Sequence, residues 1–158
     1  MRAAAFKMVG RSLTLVSTLN YLSNPRGTNG VPTYRPRASE AIMSVPDQYL
    51  ARLGAQFPVW SKQKLSGTLA ARIEGVPAHD LMGPSDGFRR PGYALSIEPG
   101  LAYYRSSNAL ALSVPVALRR NRTESVPDEI DNPIPQTLGN GDAAFADWVL
   151  LLGFSHRF

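Results

Sequence analysis

The chain has 158 residues and a formal charge of +5 at pH 7, long enough for one domain with a sizeable interior. It contains no cysteine, which excludes a disulfide framework and a thiolate metal site. Basic and aromatic residues are not interleaved in the RNA-binding manner, so the charge does not indicate nucleic acid, and thirteen Gly and thirteen Pro divide the chain into many short elements.

The N-terminal stretch "MRAAAFKMVGRSLTLVSTLNYLS" has early positive charge but no continuous apolar region and no cleavage site. It reads as strand, which places any export signal outside this sequence. Period-two alternation begins clearly at about residue 10 and predicts a strand over 10–22. Leu13, Leu15, Leu19 and Tyr21 lie on one face, against Ser12, Thr14, Val16, Thr18 and Asn20 on the other. A long loop, 23–46, follows. The second strand, 47–60, sets Tyr49, Ala51, Leu53, Ala55, Phe57 and Val59 against Gln48, Leu50, Arg52, Gly54 and Gln56. After "SKQ" the third, 64–76, sets Leu65, Leu69, Ala71 and Ile73 against Ser66, Thr68, Arg72 and Glu74.

A second long loop, 77–91, precedes a strand over 92–104 with Tyr93, Leu95, Ile97, Leu101 and Tyr103 on its oily face, opposite Ser96 and Glu98. "RSS" leads into 108–121, where Leu110, Leu112, Val114, Val116 and Leu118 oppose Ala109, Ala111, Ser113 and Arg119. A third long loop, 122–144, precedes the closing strand, 145–158. Its alternate positions from Ala146 are Trp148, Leu150, Leu152, Phe154, His156 and Phe158.

Long and short connections alternate strictly. In an up-and-down antiparallel sheet this places every long loop at one end. Thirteen strand residues at ~3.3 Å each reach ~43 Å. Tilted by ~40°, they cover an apolar band ~25 Å tall together with its two interfaces. Aromatic residues fall where interfacial girdles belong: Tyr21, Tyr49, Tyr93 and Trp148 near the long loops, and Phe57, Trp60, Tyr103, Phe154 and Phe158 near the short turns. The longest apolar run, Trp148–Leu152, has five residues, far short of the ~20 of a membrane helix. The predicted fold is all-β, an antiparallel up-and-down transmembrane β-barrel. Six strands fall below the eight of the smallest usual barrels, so the expectation is the C-terminal part of a larger barrel, with closure by several chains as the alternative. Pro58, Pro99 and Pro115 each remove a ladder donor and call for bulges.

The ending "LLGFSHRF" carries a resemblance through Gly153, Phe154 and Phe158. It resembles the C-terminal part of Gram-negative outer-membrane β-barrel proteins, whose last strand ends in an aromatic and is read by the barrel-assembly machinery; His156 stands where that family usually has a hydrophobic residue. The stretches "YLSNPRGTNGVPTYRPR" and "MSVPDQYLARLG" are similar to uncharacterised bacterial barrels described as transporters. The resemblance implies the outer membrane as location, long loops extracellular, short turns and C-terminus periplasmic, and lipid and the assembly machinery as partners, with an oligomer left open. Gly153, Phe154 and Phe158 are then an assembly signal, in which Gly153 lets backbones approach closely.

Chemistry-bearing residues are few. His79 and Asp80 are adjacent and His156 is distant, with no nucleophile set against a base, so no enzymatic activity is expected. Asp128, Glu129 and Asp131 lack EF-hand spacing and read as a solvated acidic loop, so neither metal nor cofactor is expected. Among the loop-end arginines, Arg35, Arg37, Arg89, Arg90 and Arg122 are candidates for lipopolysaccharide phosphate, since guanidinium forks bind phosphate bidentately. Arg52, Arg72, Glu74, Glu98, Arg119 and Asp147 share the polar face near the long-loop end and form a predicted charged eyelet in the lumen. The function read from this pattern is passive passage of small solutes. A structural or surface-interaction barrel is the alternative within the membrane class, and a soluble lipocalin-like binding barrel the alternative outside it.

Overall fold

The computed structural model describes residues 1–131 and 145–158. The remainder of the third long loop, residues 132–144 with their "GNGD" turn sequence, lies outside the described residues. An antiparallel sheet curled into a half-barrel dominates the chain. Its strands in chain order are β1 (Arg2–Val9), β2 (Leu13–Leu22), β5 (Gln48–Trp60), β6 (Leu65–Val76), β7 (Gly92–Arg105), β8 (Asn108–Ser113) with its continuation β9 (Val116–Arg122), and β10 (Leu151–His156). A separate hairpin, β3 (Thr28–Pro32) and β4 (Ile42–Ser44), lies in the first long loop, and α1 (Val126–Asp131) follows β9. Counting β8 and β9 as one interrupted strand, seven strands lie side by side, each antiparallel to its neighbour.

Three differences from the alternation pattern have local causes. First, residues 2–9 form a strand of their own, joined to β2 through Gly10, whose φ of 65° suits a tight turn. Its alternation is weak, with Phe6 and Met8 opposite Lys7, and all eight residues are exposed, so the periodicity did not separate it. Second, the strand expected over 108–121 breaks at Val114–Pro115. Gly100 pairs with Ser113 and Ile97 with Val116, so Glu98 and Pro99 face the break. The two prolines thus oppose each other, and both missing donors fall at one place in the ladder. The Pro99 carbonyl still accepts from the Val114 N–H at 3.0 Å. A second register shift follows Pro58, where Trp60 pairs with Leu65. Third, ladder pairing of the last strand is confined to Leu151–His156, preceded by a single bridge between Trp148 and Val116.

The short turns lie together. Ser61–Gln63 forms one turn of 3-10 helix closed by Lys64 at φ 53°, and Ser106 at φ 50° closes the two-residue link between β7 and β8. The first two long loops lie at the opposite end and are folded together: the Met43 backbone pairs with Phe88, adding the second long loop to the β3–β4 hairpin. Helix α1 starts at a capping box. The Asp128 carboxylate accepts the Ser125 N–H at 2.9 Å, and the Ser125 hydroxyl accepts the Asp128 N–H at 3.4 Å.

Burial is inverted relative to a water-soluble sheet. Along β7, Ala94, Ser96, Glu98 and Ala102 are buried, whereas Leu95, Ile97, Leu101 and Tyr103 between them are exposed. The same oily face exposes Leu53 at 65 % on β5 and Leu152 at 72 % on β10. The buried face is built from small residues. A Cβ added to Gly54 would stand 2.5 Å from the Ala70 Cβ and 2.6 Å from the Leu69 carbonyl oxygen, so β5 and β6 approach more closely there than any side chain permits. The expected result for Gly54→Ala is a loss of roughly 1–3 kcal/mol in unfolding free energy, measured by urea titration in detergent. Gly153→Ala is the control, because an added Cβ there meets nothing nearer than 3.9 Å.

Candidate functional site

Cross-strand register assembles the charged part of the small-residue face. Arg52 pairs with Arg72, which pairs with Ser96, and Ala70 pairs with Glu98 one step along the same face. Two arginines directly opposite each other repel. The carboxylates beside them offset this: Arg52 Nε donates to Glu98 Oε1 at 2.9 Å, Arg72 Nη1 stands 3.5 Å from Glu98 Oε2, and Arg72 Nη2 donates to Glu74 Oε2 at 2.6 Å. Arg52 on β5 reaches β7 across β6 because the intervening residues on this face, Gly54 and Ala70, are small. Glu98 is almost fully buried, and neither its Oε2 nor the Arg72 Nε makes a hydrogen bond among the described residues. The chain Arg52–Glu98–Arg72–Glu74 is therefore neutral in sum but under-bonded at its centre. Beside it, a groove of about 430 Å³ runs from Asn20 and Gln48 past Glu74 and Ser96 to Phe145 and Val149.

Two residues of the expected eyelet lie elsewhere. A register shift on β9 pairs Ser96 with Ala117 but Leu95 with Arg119. The extra residue moves Arg119 to the apolar face and brings Arg120, opposite Ala94, to the small-residue face. Arg120, not Arg119, forms the ion pair with Asp147, whose side chain is 74 % exposed, and the pair stands apart from the Arg52–Glu74 chain.

The loop arginines are placed differently from the reading as phosphate ligands. Arg89 is fully buried and forks onto Asp80 at 2.6 and 2.8 Å, with Ser44 Oγ accepting a further bond at 2.9 Å; it cannot reach a lipid phosphate. Arg35 pairs with Glu40 and stacks over Phe88, 4.3 Å from the ring centre. Arg37 also pairs with Glu40, at 3.3 Å. Arg90 and Arg122 are exposed at the same end, and each has an interaction partner within the chain.

This loop network was not readable from spacing. Asp80 Oδ1 also accepts the Asp47 N–H at 2.9 Å. The Asp47 carboxylate accepts from the Tyr21 hydroxyl and the Asn24 N–H, each at 2.7 Å, and from the Leu81 N–H at 3.2 Å. Burial pushes the Asp47 carboxyl up, but the donors from Asn24, Tyr21 and Leu81 and the nearby Arg89 charge outweigh it and hold it below the ordinary carboxylate range. Ser39 donates to Asp131, which ties the first loop to α1. The loops and the end of β2 thus form one polar cap.

The remaining candidates are engaged or scattered. Asp80 belongs to Arg89, the His79 ring lies 3.9 Å from Glu129, and His156 bonds Asn108 at 2.8 Å and packs edge-on against Phe158. Asp128 is a helix cap and Asp131 binds Ser39. Among the described residues no three His, Asp or Glu side chains converge to hold a metal ion. Phe154 and Phe158 are exposed at 69 % and 110 %. Gly153, opposite Ala111, has room for a Cβ, so close backbone approach is not what places a glycine there. Comparison with protein-family models, curated proteins and solved structures yields no match for this chain.

Removing Arg89 leaves Asp80 charged in a buried site, so Arg89→Ala should cost about 3–5 kcal/mol, read by denaturant titration together with faster proteolysis of the first two long loops. A depressed folded-state pKa at Asp47 means its contribution is complete above the unfolded carboxylate value of about 4 and is lost as pH falls through the lower folded value. Asp47→Asn should accordingly flatten the acid limb of stability measured against pH, with little change in its slope above pH ~5.

Proposed function

We propose that this chain forms the wall of a membrane-spanning antiparallel β-barrel and that its charged groove is the constriction of a passive route for small solutes. The observation that carries the membrane reading is the exposed face between two aromatic rows. At the long-loop end, register aligns Tyr21, Tyr49, Gly75 and Tyr93 across four strands. At the short-turn end it aligns Trp60, Leu65, Tyr103, Leu110 and Phe154 across five. From Tyr93 to Tyr103 is ten residues of β7, ~33 Å of strand, which at a tilt of ~40° spans ~25 Å, the height of an outer-membrane apolar band. Between the rows, β5, β6 and β7 carry no charged side chain on this face. A soluble ligand-binding barrel turns its oily face inward; here the small and polar face is the buried one.

Closure sets a further condition. Successive antiparallel strands leave the two edges, β1 and β10, running in the same direction. A closed, wholly antiparallel barrel containing these seven strands therefore includes an odd number of others. A second copy in the same orientation would instead create parallel junctions.

A second reading, a closed structural barrel, is favoured by the internal compensation of the Arg52–Glu98–Arg72–Glu74 chain and by the folded cap. Conductance in planar bilayers separates the two. A channel conducts, and Arg72→Ala, which leaves Glu74 unpaired and Glu98 with Arg52 alone, shifts its reversal potential toward cation selectivity. Stable insertion without conductance supports the structural barrel. Recovery as a stable monomer in detergent-free buffer, with no partition into the membrane fraction, removes the membrane reading altogether.

A further inference from the structure

The acidic and basic side chains are distributed unequally between the two ends of the sheet. No Asp or Glu occurs in residues 1–39, 48–73, 99–123 or 148–158, which include every short turn and the strand halves leading to it. The same turns and strand ends carry Lys7, Arg11, Lys62, Lys64, Arg105 and Arg157, all exposed. Among the described residues none of the six makes an ion pair with a carboxylate. At the long-loop end, by contrast, Arg35, Arg37, Arg89 and Arg120 each meet a carboxylate, while the exposed Arg2 and Arg26 do not among the described residues.

Several of the six are held close along the rim by main-chain bonds. The Tyr104 N–H donates to the Lys64 carbonyl at 3.1 Å, placing the Lys62–Lys64 turn beside Arg105. The Arg157 N–H donates to the Ser107 carbonyl at 2.8 Å, placing Arg157 beside the same β7–β8 turn. Immediately inside this rim on the apolar face runs the row containing Trp60, Tyr103 and Phe154. Cations next to amphipathic rings at the edge of an apolar band match a lipid interface, where rings sit at headgroup depth and long basic side chains extend to phosphate.

We infer that the short-turn rim binds the phosphate headgroups of anionic phospholipid, and that this end, rather than the arginine-bearing long loops, is where the protein engages lipid charge. The inference rests on the membrane reading above and adds to it the lipid class and the end of the molecule. Long-range attraction supplies part of the effect: each cation near an anionic surface strengthens binding by about fivefold at low ionic strength, and salt within a Debye length screens it.

The test uses the full chain folded in detergent and transferred to vesicles of pure phosphatidylcholine or of phosphatidylcholine with phosphatidylglycerol, in low and high salt. The comparison variant is Lys62→Gln/Arg105→Gln/Arg157→Gln, whose changed side chains make no hydrogen bond or ion pair among the described residues. The native protein should partition into both vesicles and favour the anionic ones. The variant should retain its partition into phosphatidylcholine, which shows that it is folded, and lose about 100-fold of the low-salt preference for phosphatidylglycerol. Equal preference for anionic vesicles in the two proteins overturns the headgroup inference and leaves the membrane reading standing. Failure of the native protein to enter either vesicle overturns the membrane reading and this inference with it.

Discussion

Register between β5, β6 and β7 is the constraint on which the rest of the molecule depends. Side chains in a strand alternate between faces, so a slip of one residue would send Arg52, Arg72 and Glu98 into the apolar band and bring Leu53, Ile73 and Ile97 to the crowded small-residue face. Such a slip would also force Leu53, Ile73 and Ile97 into space that Gly54 and Ala70 leave only for small side chains. The register is held by contacts on both faces. Gly54 lies against Ala70 on the inner side, and on the outer side the Tyr49 and Phe57 rings lie over Gly75 and Gly67, close enough to exclude a Cβ at either glycine. Aromatic rings over cross-strand glycines cover backbone that has no side chain of its own.

The ion chain and the groove follow from that register. Arg52 and Arg72 are opposite each other because their strands pair there, and Glu98 reaches both because Ala70 is small. The most buried polar groups form two sets, one in the sheet around Glu98 and one in the cap around Arg89. They differ in kind. The cap is the more extensively bonded, with donors converging on Asp47 and a fork between Arg89 and Asp80 that leaves the Arg89 Nε alone unbonded, and this rigidifies loops that would otherwise sample many conformations. The sheet cluster leaves Arg72 Nε and Glu98 Oε2 without hydrogen bonds, although Glu98 Oε2 keeps the Arg72 charge 3.5 Å away.

Irregularities are concentrated as well. Pro99 and Pro115 oppose each other across one gap, and the β9 register shift lies just beyond it. The proline break splits the sixth strand, the register shift beyond it exchanges Arg119 for Arg120, and the Trp148–Leu150 segment lies beside Pro115, where the Val149 N–H donates to the Pro115 carbonyl.

Alternation along the chain determined the all-β class, the two chemically distinct faces, the order of long and short connections and the grouping of Arg52, Arg72, Glu74 and Glu98. Period two is a property of single strands, and hairpin neighbours in sequence are neighbours in space. Residues 2–9 escaped it because an edge strand exposed on both faces has no need of contrasting ones. The position of Arg119 escaped it because one inserted residue reverses the faces of everything beyond it, and only pairing with β7 shows where the insertion falls. The cap escaped it entirely: Asp47, Asp80 and Arg89 lie in loops without periodicity, and nothing in their spacing distinguishes a buried fork from a solvated charge. Arg89 read as a phosphate ligand in the sequence because loop arginines are usually exposed. Tertiary structure alone decided otherwise, by folding Asp80 of the same loop and Ser44 of the first loop onto the two terminal nitrogens of the guanidinium, away from water.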